Sequence, residues 1–414
     1  MASLLTNAAA GEELPLQGGV VDPQAEAEFN RTVFIALAGL LLGFGLFVVH
    51  SASVTSRPTE FEQIHLSRHL VFIAIGLVAA GIAAAIPARI WVRAAPWLLL
   101  GVIILLVLVL VPGIGVRVKG ARRWIRFAGF TLQPSELAKI ALPLWVAARI
   151  SLNHSHGRPW SLSESLTGFR MPLLIPPALV MGLVALQPDL GTTLFLAGGV
   201  LLTLFIGGLP LRYFGYGLVS LIPASLGVFL LKDYQLRRIT GFLDTWSDWR
   251  EAPYQLKQSL VTLGSGGWTG VGLGMGYQKL SFLPEANTDF VFAVIGEELG
   301  LLGTLSLLLL WGSLFYFGLR LIRTGRPTDN EITPVATLAS FVLLSQLVGQ
   351  ALLNIAVVTA MVPPKGISHP LISAGGSNLV VSLVSLGLIL SLTRRDNSPG
   401  LPGFTNPNPP TPGQ

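Results

Sequence analysis

The run AAPWLLLGVIILLVLVLVP at residues 94–112 decides the fold class. It carries no charged residue. At 1.5 Å per residue it is long enough to cross most of a hydrocarbon core about 30 Å thick. A buried helix of a soluble protein is shorter or is interrupted by polar positions. Comparable runs lie near 32–50, 68–86, 133–150, 171–188, 190–208, 212–231, 288–321, 334–362 and 374–393. The expected fold is therefore an all-α polytopic integral membrane protein of about ten transmembrane helices. Spans five and six are separated only by Gln187-Pro188-Asp189, a tight hairpin. A large extracytoplasmic loop, 232–287, separates spans seven and eight. The domain plan is a disordered cytoplasmic segment 1–30, a membrane domain 31–395 and a disordered Pro-rich tail 396–414.

Composition agrees. Hydrophobic residues make up 51% of the 414 residues and charged residues 12%, against roughly a quarter in soluble domains. Mean hydropathy is +0.66. These values exclude a soluble globular enzyme, a disordered chain and a nucleic-acid-binding module, so nucleic acid is not an expected partner. Cysteine is absent, which excludes disulfides, thiolate metal sites and thiol nucleophiles. Residues 1–28 lack a basic start before an apolar core, so the first span is expected to act as an uncleaved anchor.

The net charge of +6 matters through its distribution. With both termini cytoplasmic, 12 of the 27 basic residues fall inside, spread over short loops and the stop Arg394-Arg395. Lys139 lies within a span, and the rest cluster mainly in segments 113–132 and 232–287. The positive-inside rule does not decide this arrangement. It admits two readings: an imperfect rule, or an outward basic face that binds an anion.

Three constellations can carry chemistry. In the first, Arg122, Arg123 and Trp124 precede QPSELAK at 133–139. Arginine offers paired donors suited to phosphate, and Trp an amphipathic face. Pro134 and Glu136 suit a helix start, and Glu136 and Lys139 share a helix face. A capped helix with an ion pair is the structural alternative, while ionisable groups inside a span favour function. In the second, Glu285 and Asp289 stand at the mouth of span eight, with Glu297 and Glu298 about two turns deeper. A carboxylate at a membrane surface, partly desolvated yet reaching water, suits a general base, although a helix-start acid explains it too. The glycine-rich GSGGWTGVGLGMG at 264–276 lacks a preceding strand and a following Lys-Ser/Thr, so it reads as close backbone packing rather than a nucleotide loop. In the third, PPKGISHPLISAGGSN at 363–378, Lys365 is an isolated cation in a shaped loop, and His369 has no metal-ligand partner at close spacing.

These motifs together resemble the SEDS family (shape, elongation, division and sporulation; the FtsW/RodA type). The resemblance rests on HSAS at 50–53, GARRW at 120–124, QPSELAK, PDLGTTL at 188–194, YQLKQSLVTLGSGGWTGVGLG at 254–274, QKLSFLPEANTDFVFAVIGEELG at 278–300 and PPKGISHPLISAGGSN, across residues 31–395. It implies a peptidoglycan glycosyltransferase that polymerises lipid II, the polyprenyl-diphosphate-linked disaccharide pentapeptide. It also implies an active site facing outward from the bacterial cytoplasmic membrane. Asp289 takes the position of the family's essential aspartate. Substrate-binding candidates are Arg122, Arg123, Trp124, Gln133, Ser135, Glu136, Lys139, Lys279, Glu285, Lys365 and Ser373. Implied partners are a class B penicillin-binding protein and other division proteins. No protein-held metal site is expected, though a divalent cation, Mg or Mn, could accompany the pyrophosphate. Pro364, His369, Ala374 and Asn378 depart from the family pattern of Thr, Leu, Tyr and Ser. The P-x-K-G element favours the division branch over elongation. A lipid II flippase and a non-catalytic scaffold for a transpeptidase are the competing functions.

Overall fold

The computed structural model describes residues 22–53, 60–118, 120–127, 130–154, 171–217, 219, 233–278, 282–325 and 332–394. Helix α1 (Pro23–Ser53) leads into α2 (Glu60–Ala85) and α3 (Ala88–Leu110). α3 shows how the sequence works in a membrane. Ala88, Ala95, Leu99, Val102, Leu106 and Val109 form its buried stripe, while Trp97, Leu100, Ile104 and Val107 on the other side are exposed. Both sides are apolar, which is stable only where the outer side meets lipid. The helix ends at Val111, in extended conformation as the residue before Pro112 requires.

Segment 113–132, which joins the third and fourth expected spans, is more than a connecting loop. β1 (Gly115–Val118), β2 (Ala121–Phe127) and β3 (Phe130–Leu132) form a three-stranded antiparallel sheet in the order β1-β2-β3. Gly120, at φ +84, supplies the left-handed backbone of the first turn. The fold is thus helical with a small sheet rather than strictly all-α. The pairing of β1 with β2 shifts register at the basic motif: Trp124 pairs with Val116 and Arg122 with Arg117, which makes Arg123 the extra residue of a β-bulge.

α4 (Pro134–His154) starts with Pro at its first position and Glu136 in its first turn. Residues 138–148 are buried on every side, which makes α4 the central helix, packed by α3, α6 (Leu190–Ile206), α10 (Thr333–Val358) and α11 (Gly376–Leu392). α5 (Met171–Leu186) packs beside α6, α11 along α2, and α1 along α9 (Val291–Thr324). The segment expected as the large outer loop carries α7 (Asp233–Ser247) and α8 (Tyr254–Ser265), and α8 lies against α9.

α9 is broken at Gly300, whose φ of 65 and ψ of −160 are non-helical. A Cβ there would stand 2.4 Å from the Gly270 nitrogen, so only glycine admits the approach of the two backbones. The glycine-rich segment closes this break with backbone bonds. Val271 and Gly272 donate to the carbonyls of Glu297 and Glu298, and Leu301 and Leu302 donate to those of Gly267 and Trp268. The Glu297 carboxylate accepts from the Tyr277 and Gln278 amides at 2.8 and 3.2 Å, and the Glu298 carboxylate accepts from Ser51 Oγ. The expectation of close backbone packing at 264–276 holds. Glu297 and Glu298 clamp that segment, and their depth in span eight has this structural account.

Among the described residues, five helices are long and apolar enough to cross a membrane: Pro23–Ser51, Ser67–Ala85, Ala88–Leu110, Val291–Thr324 and Thr333–Val358. Leu173–Leu186, Leu190–Ile206 and Gly376–Leu392 are shorter apolar helices. The protein is a multi-pass membrane protein. Most of the expected seventh span, 212–231, and the tail 396–414 lie outside the described residues. The first helix begins at Pro23, so the expected disordered segment 1–30 gives up its last residues to the helix.

Candidate active site

The mouth of α9 and the loop joining α10 to α11 meet at Asp289. Asp289 precedes the first turn of α9 and is half-buried. Its Oδ1 accepts from Ser368 Oγ at 3.2 Å. Its backbone carbonyl accepts from Asn354 Nδ2 of α10 at 2.7 Å, and the same amide holds the Ile367 carbonyl at 2.8 Å. A Cβ at Gly366 would lie 3.2 Å from Asp289 Oδ2, so the loop backbone runs close under the carboxylate. Behind it, the Ala374 amide donates to the Asn287 carbonyl at 2.9 Å. Glu285 is exposed, with φ of 57, and receives Thr288 Oγ1 at 3.0 Å. It therefore shapes the turn that delivers Asp289.

A continuous polar chain leads from Asp289 into the helix core. Asn378 and Gln350 both donate to the Ser368 carbonyl, at 3.3 and 2.8 Å. Gln350 Nε2 also reaches Asn378 Oδ1 at 2.9 Å, and Gln350 Oε1 accepts from Lys139 Nζ at 2.8 Å. Lys139 Nζ in turn donates to both oxygens of Glu136, at 2.8 and 2.7 Å. Lys139, Gln346, Gln350, Asn378, Ser382 and Ser385, together with Leu343, Leu347 and Val381, line a small cavity inside the bundle. The ion pair expected between Glu136 and Lys139 is present, and it is built into this chain rather than standing alone at a helix start. The departure Asn378 is a member of the chain. The departure His369 is buried against Trp311, with ring centroids 5.7 Å apart.

A second junction forms around Asp189, which caps α6 by accepting from the Thr192 amide at 3.2 Å. Gln133 Nε2 reaches its Oδ2 at 3.2 Å, and Arg123 Nη1 stands 3.7 Å from the same oxygen. Arg123 also donates to the carbonyls of Gln187 and Pro188. The stem of Lys365 lies over the first turn of α6, where a Cβ at Gly191 would be 3.3 Å from its Cδ. Burial lowers the Lys365 pKa from the ordinary lysine value, and the charge of Asp189 works against that lowering. Lys365 is thus a partly desolvated cation two positions from Ile367 and three from Ser368, on the loop that carries the partner of Asp289.

The sequence profile of a family described as "Cell cycle protein", covering FtsW, RodA and SpoVE, matches residues 31–398. The chain belongs to this family. It is 38% identical over 367 residues to "Probable peptidoglycan glycosyltransferase FtsW" of Geobacter sp. (strain M18), covering 88% of this chain and 96% of that relative. The protein of the same description from Legionella pneumophila is 36% identical, over 88% of this chain and 90% of the relative. A chain solved in the structural coordination of polymerization and crosslinking by a peptidoglycan synthase complex superposes with a TM-score of 0.69. It is 28% identical and covers 87% of this chain and 96% of that one. Rod shape determining protein RodA of Thermus thermophilus gives a TM-score of 0.62 at 28% identity, covering 87% and 95% of the two chains. The SEDS resemblance read from the motifs is therefore membership of the family.

Against this membership the site candidates sort as follows. Asp289 meets Ser368 on the loop between α10 and α11, while Lys365 of the same loop lies over the first turn of α6 beside Asp189. Glu136 and Lys139 lie at the inner end of the chain just traced. Ser135 and Ser373 are buried with hydroxyl oxygens that have no partner among the described residues. Lys279 lies outside the described residues. Gln350, Asn354, Ser368 and Asp189 were not among the sequence candidates. Asp189 stood within the PDLGTTL motif and was readable as a helix cap. Nothing in spacing marked Gln350 or Asn354, because their role depends on which face of α10 meets the loop.

The basic pair splits. Arg123 is held by Gln187, Pro188 and Asp189, whereas Arg122 pairs with Arg117 in the ladder. Arg123→Ala is expected to lower thermal stability by about 1–3 kcal/mol by stripping hydrogen bonds from a charged group. Arg122→Ala is expected to leave the melting temperature unchanged and to weaken apparent affinity for a pyrophosphate-linked substrate. Equal melting losses in the two single variants would refute the division of roles.

Proposed function

We propose that the protein is a peptidoglycan glycosyltransferase of the division type. It polymerises lipid II into β-1,4-linked glycan at the outer face of the bacterial cytoplasmic membrane. The names borne by its relatives support the reaction class. The observation that carries the chemistry is the half-buried Asp289, oriented by Ser368 and Asn354 beside a loop that also bears Lys365. A general base must be aimed and must still reach its substrate, and this arrangement meets both needs.

In the proposed step the acceptor sugar's 4-hydroxyl oxygen attacks the donor anomeric carbon. The hydroxyl proton passes to the Asp289 carboxylate. The bond from that carbon to the phosphate oxygen breaks, and its electron pair leaves with the polyprenyl diphosphate. One displacement turns an α-linked diphosphate into a β bond. Lys365 and Arg122 are the proposed cations for the leaving group. Lys139 is less suited to that role than its charge suggested, since its donors already meet Glu136 and Gln350. A divalent cation, Mg or Mn, would have to arrive with the diphosphate. Among the described residues no group of three or more His, Asp or Glu is placed to hold one.

The termini are proposed to be cytoplasmic, with segment 232–287 outside. Residues 1–414 contain no Ser-x-x-Lys motif of the kind a transpeptidase uses. Crosslinking is therefore assigned to a class B penicillin-binding protein, with other division proteins in the same assembly. The test is polymerisation of purified lipid II by the purified protein, alone and with such a partner at saturation. Glycan strands are expected in both, with a higher rate in the complex. Transbilayer movement of lipid II with no polymer in either arm would replace the reading with a flippase.

A further inference from the structure

Helix α7 packs inside out. Its apolar positions Leu243 and Trp246 are spaced for one helical stripe, which the sequence continues back through Ile239 and Leu236. In a helix docked from water onto a protein, such a stripe faces inward. Here Leu243 is 60% exposed and Trp246 67% exposed, while Thr245 on the other side is 5% exposed. Gly241, also on that side, sits so close to Pro253 that a Cβ would stand 2.9 Å from its ring. The polar side of α7 therefore meets the protein, and its apolar side is turned away.

The level of the helix is fixed by Trp246, whose indole N–H donates to the Ala360 carbonyl at 3.1 Å. Ala360 lies two residues beyond the end of membrane helix α10 at Val358. α7 is thus level with the end of a transmembrane helix, where tryptophans with one wet and one apolar end collect. The exposed surface continues onto Met361, 73% exposed, and down α10 to exposed Leu352. That continuity runs from the lipid-facing side of the bundle directly onto the stripe.

We propose that α7 is an interfacial helix. Its Leu243–Trp246 stripe is immersed in the outer headgroup and acyl boundary of the bilayer, and its Asp244 and Asp248 edge faces water. The occupant of the stripe is lipid. The helix therefore anchors the start of segment 232–287 to the membrane surface at the same end of α10 from which the Asp289 loop departs. An amphipathic helix of this kind buries its apolar face by roughly 5–10 Å.

The native chain has no cysteine, so single cysteines can be spin-labelled without background. Leu243→Cys, Trp246→Cys, Asp244→Cys and Asp248→Cys are labelled in the full-length protein in lipid nanodiscs, with no partner present. Power-saturation accessibility to oxygen is then compared with that to a water-soluble nickel chelate. Oxygen is expected to dominate at 243 and 246 and nickel at 244 and 248, so the depth parameter changes sign within one turn. Nickel dominance at all four positions overturns the proposal. So does exclusion of both reagents from 243 and 246, which would mean a protein contact between copies. Water-like accessibility that disappears only on adding a penicillin-binding protein would assign the stripe to that partner and equally overturn it.

Discussion

Asp289→Asn is expected to lower glycan polymerisation by about 10²–10⁴-fold, the range for loss of a general base. The same variant should leave folding and membrane insertion almost unchanged, for reasons visible in its contacts. The bond from Asn354 goes to the Asp289 backbone carbonyl, which the substitution does not touch. The Ser368 hydroxyl donates to Oδ1, and an asparagine Oδ1 accepts in the same way. The two side chains have nearly the same volume, so Gly366, close to Oδ2, meets no added bulk. What asparagine cannot do is take a proton. Initial polymerisation rate and melting temperature, measured on one preparation, separate these effects. A variant that polymerises at near the parent rate would remove Asp289 from the mechanism, while a large drop in melting temperature would assign the residue a structural role.

The sequence carried the broad architecture because membrane spans announce themselves by length and apolarity, and 94–112 is such a run. It carried the Glu136–Lys139 pair because charge is costly at that depth and few places in the chain tolerate it; Asp289, at a membrane surface, was marked as a candidate by the family resemblance. It could not carry the sheet at 115–132, where short strands in a basic segment have no strong period. Nor could it show that Arg123 is tied to Gln187, Pro188 and Asp189, since that depends on the bulge in β2 and on the α5–α6 hairpin lying beside it. What holds Glu297 and Glu298 in span eight could not be read from the sequence either. Depth in a span suggested chemistry, but backbone amides of a distant glycine-rich segment come to their carbonyls and to the Glu297 carboxylate. Gln350 and Asn354 stayed silent because a neutral amide in a helix has no signature until its neighbours are placed.

The buried pair yields the second large effect. Lys139→Ala is expected to destabilise the protein by about 3–5 kcal/mol, the usual cost of leaving one partner of a buried ion pair alone. Glu136 and Lys139 are each 8% exposed. The ammonium spends its donors on both Glu136 oxygens and on Gln350 Oε1. Its removal strands a carboxylate and an amide oxygen in the bundle interior together. The damage should also reach Asp289, because Gln350 holds the Ser368 carbonyl and Ser368 holds the Asp289 carboxylate. The double variant Glu136→Leu with Lys139→Met tests how that coupling runs. Replacing both charges with apolar groups of similar size is often neutral or stabilising, so the melting temperature should return to near the parent value. Activity should not return with it, since the methionine cannot donate to Gln350 and the polar chain to Ser368 stays broken. Recovery of both properties would show that the pair serves the fold alone. A single Lys139→Ala variant that melts like the parent would contradict the burial argument itself.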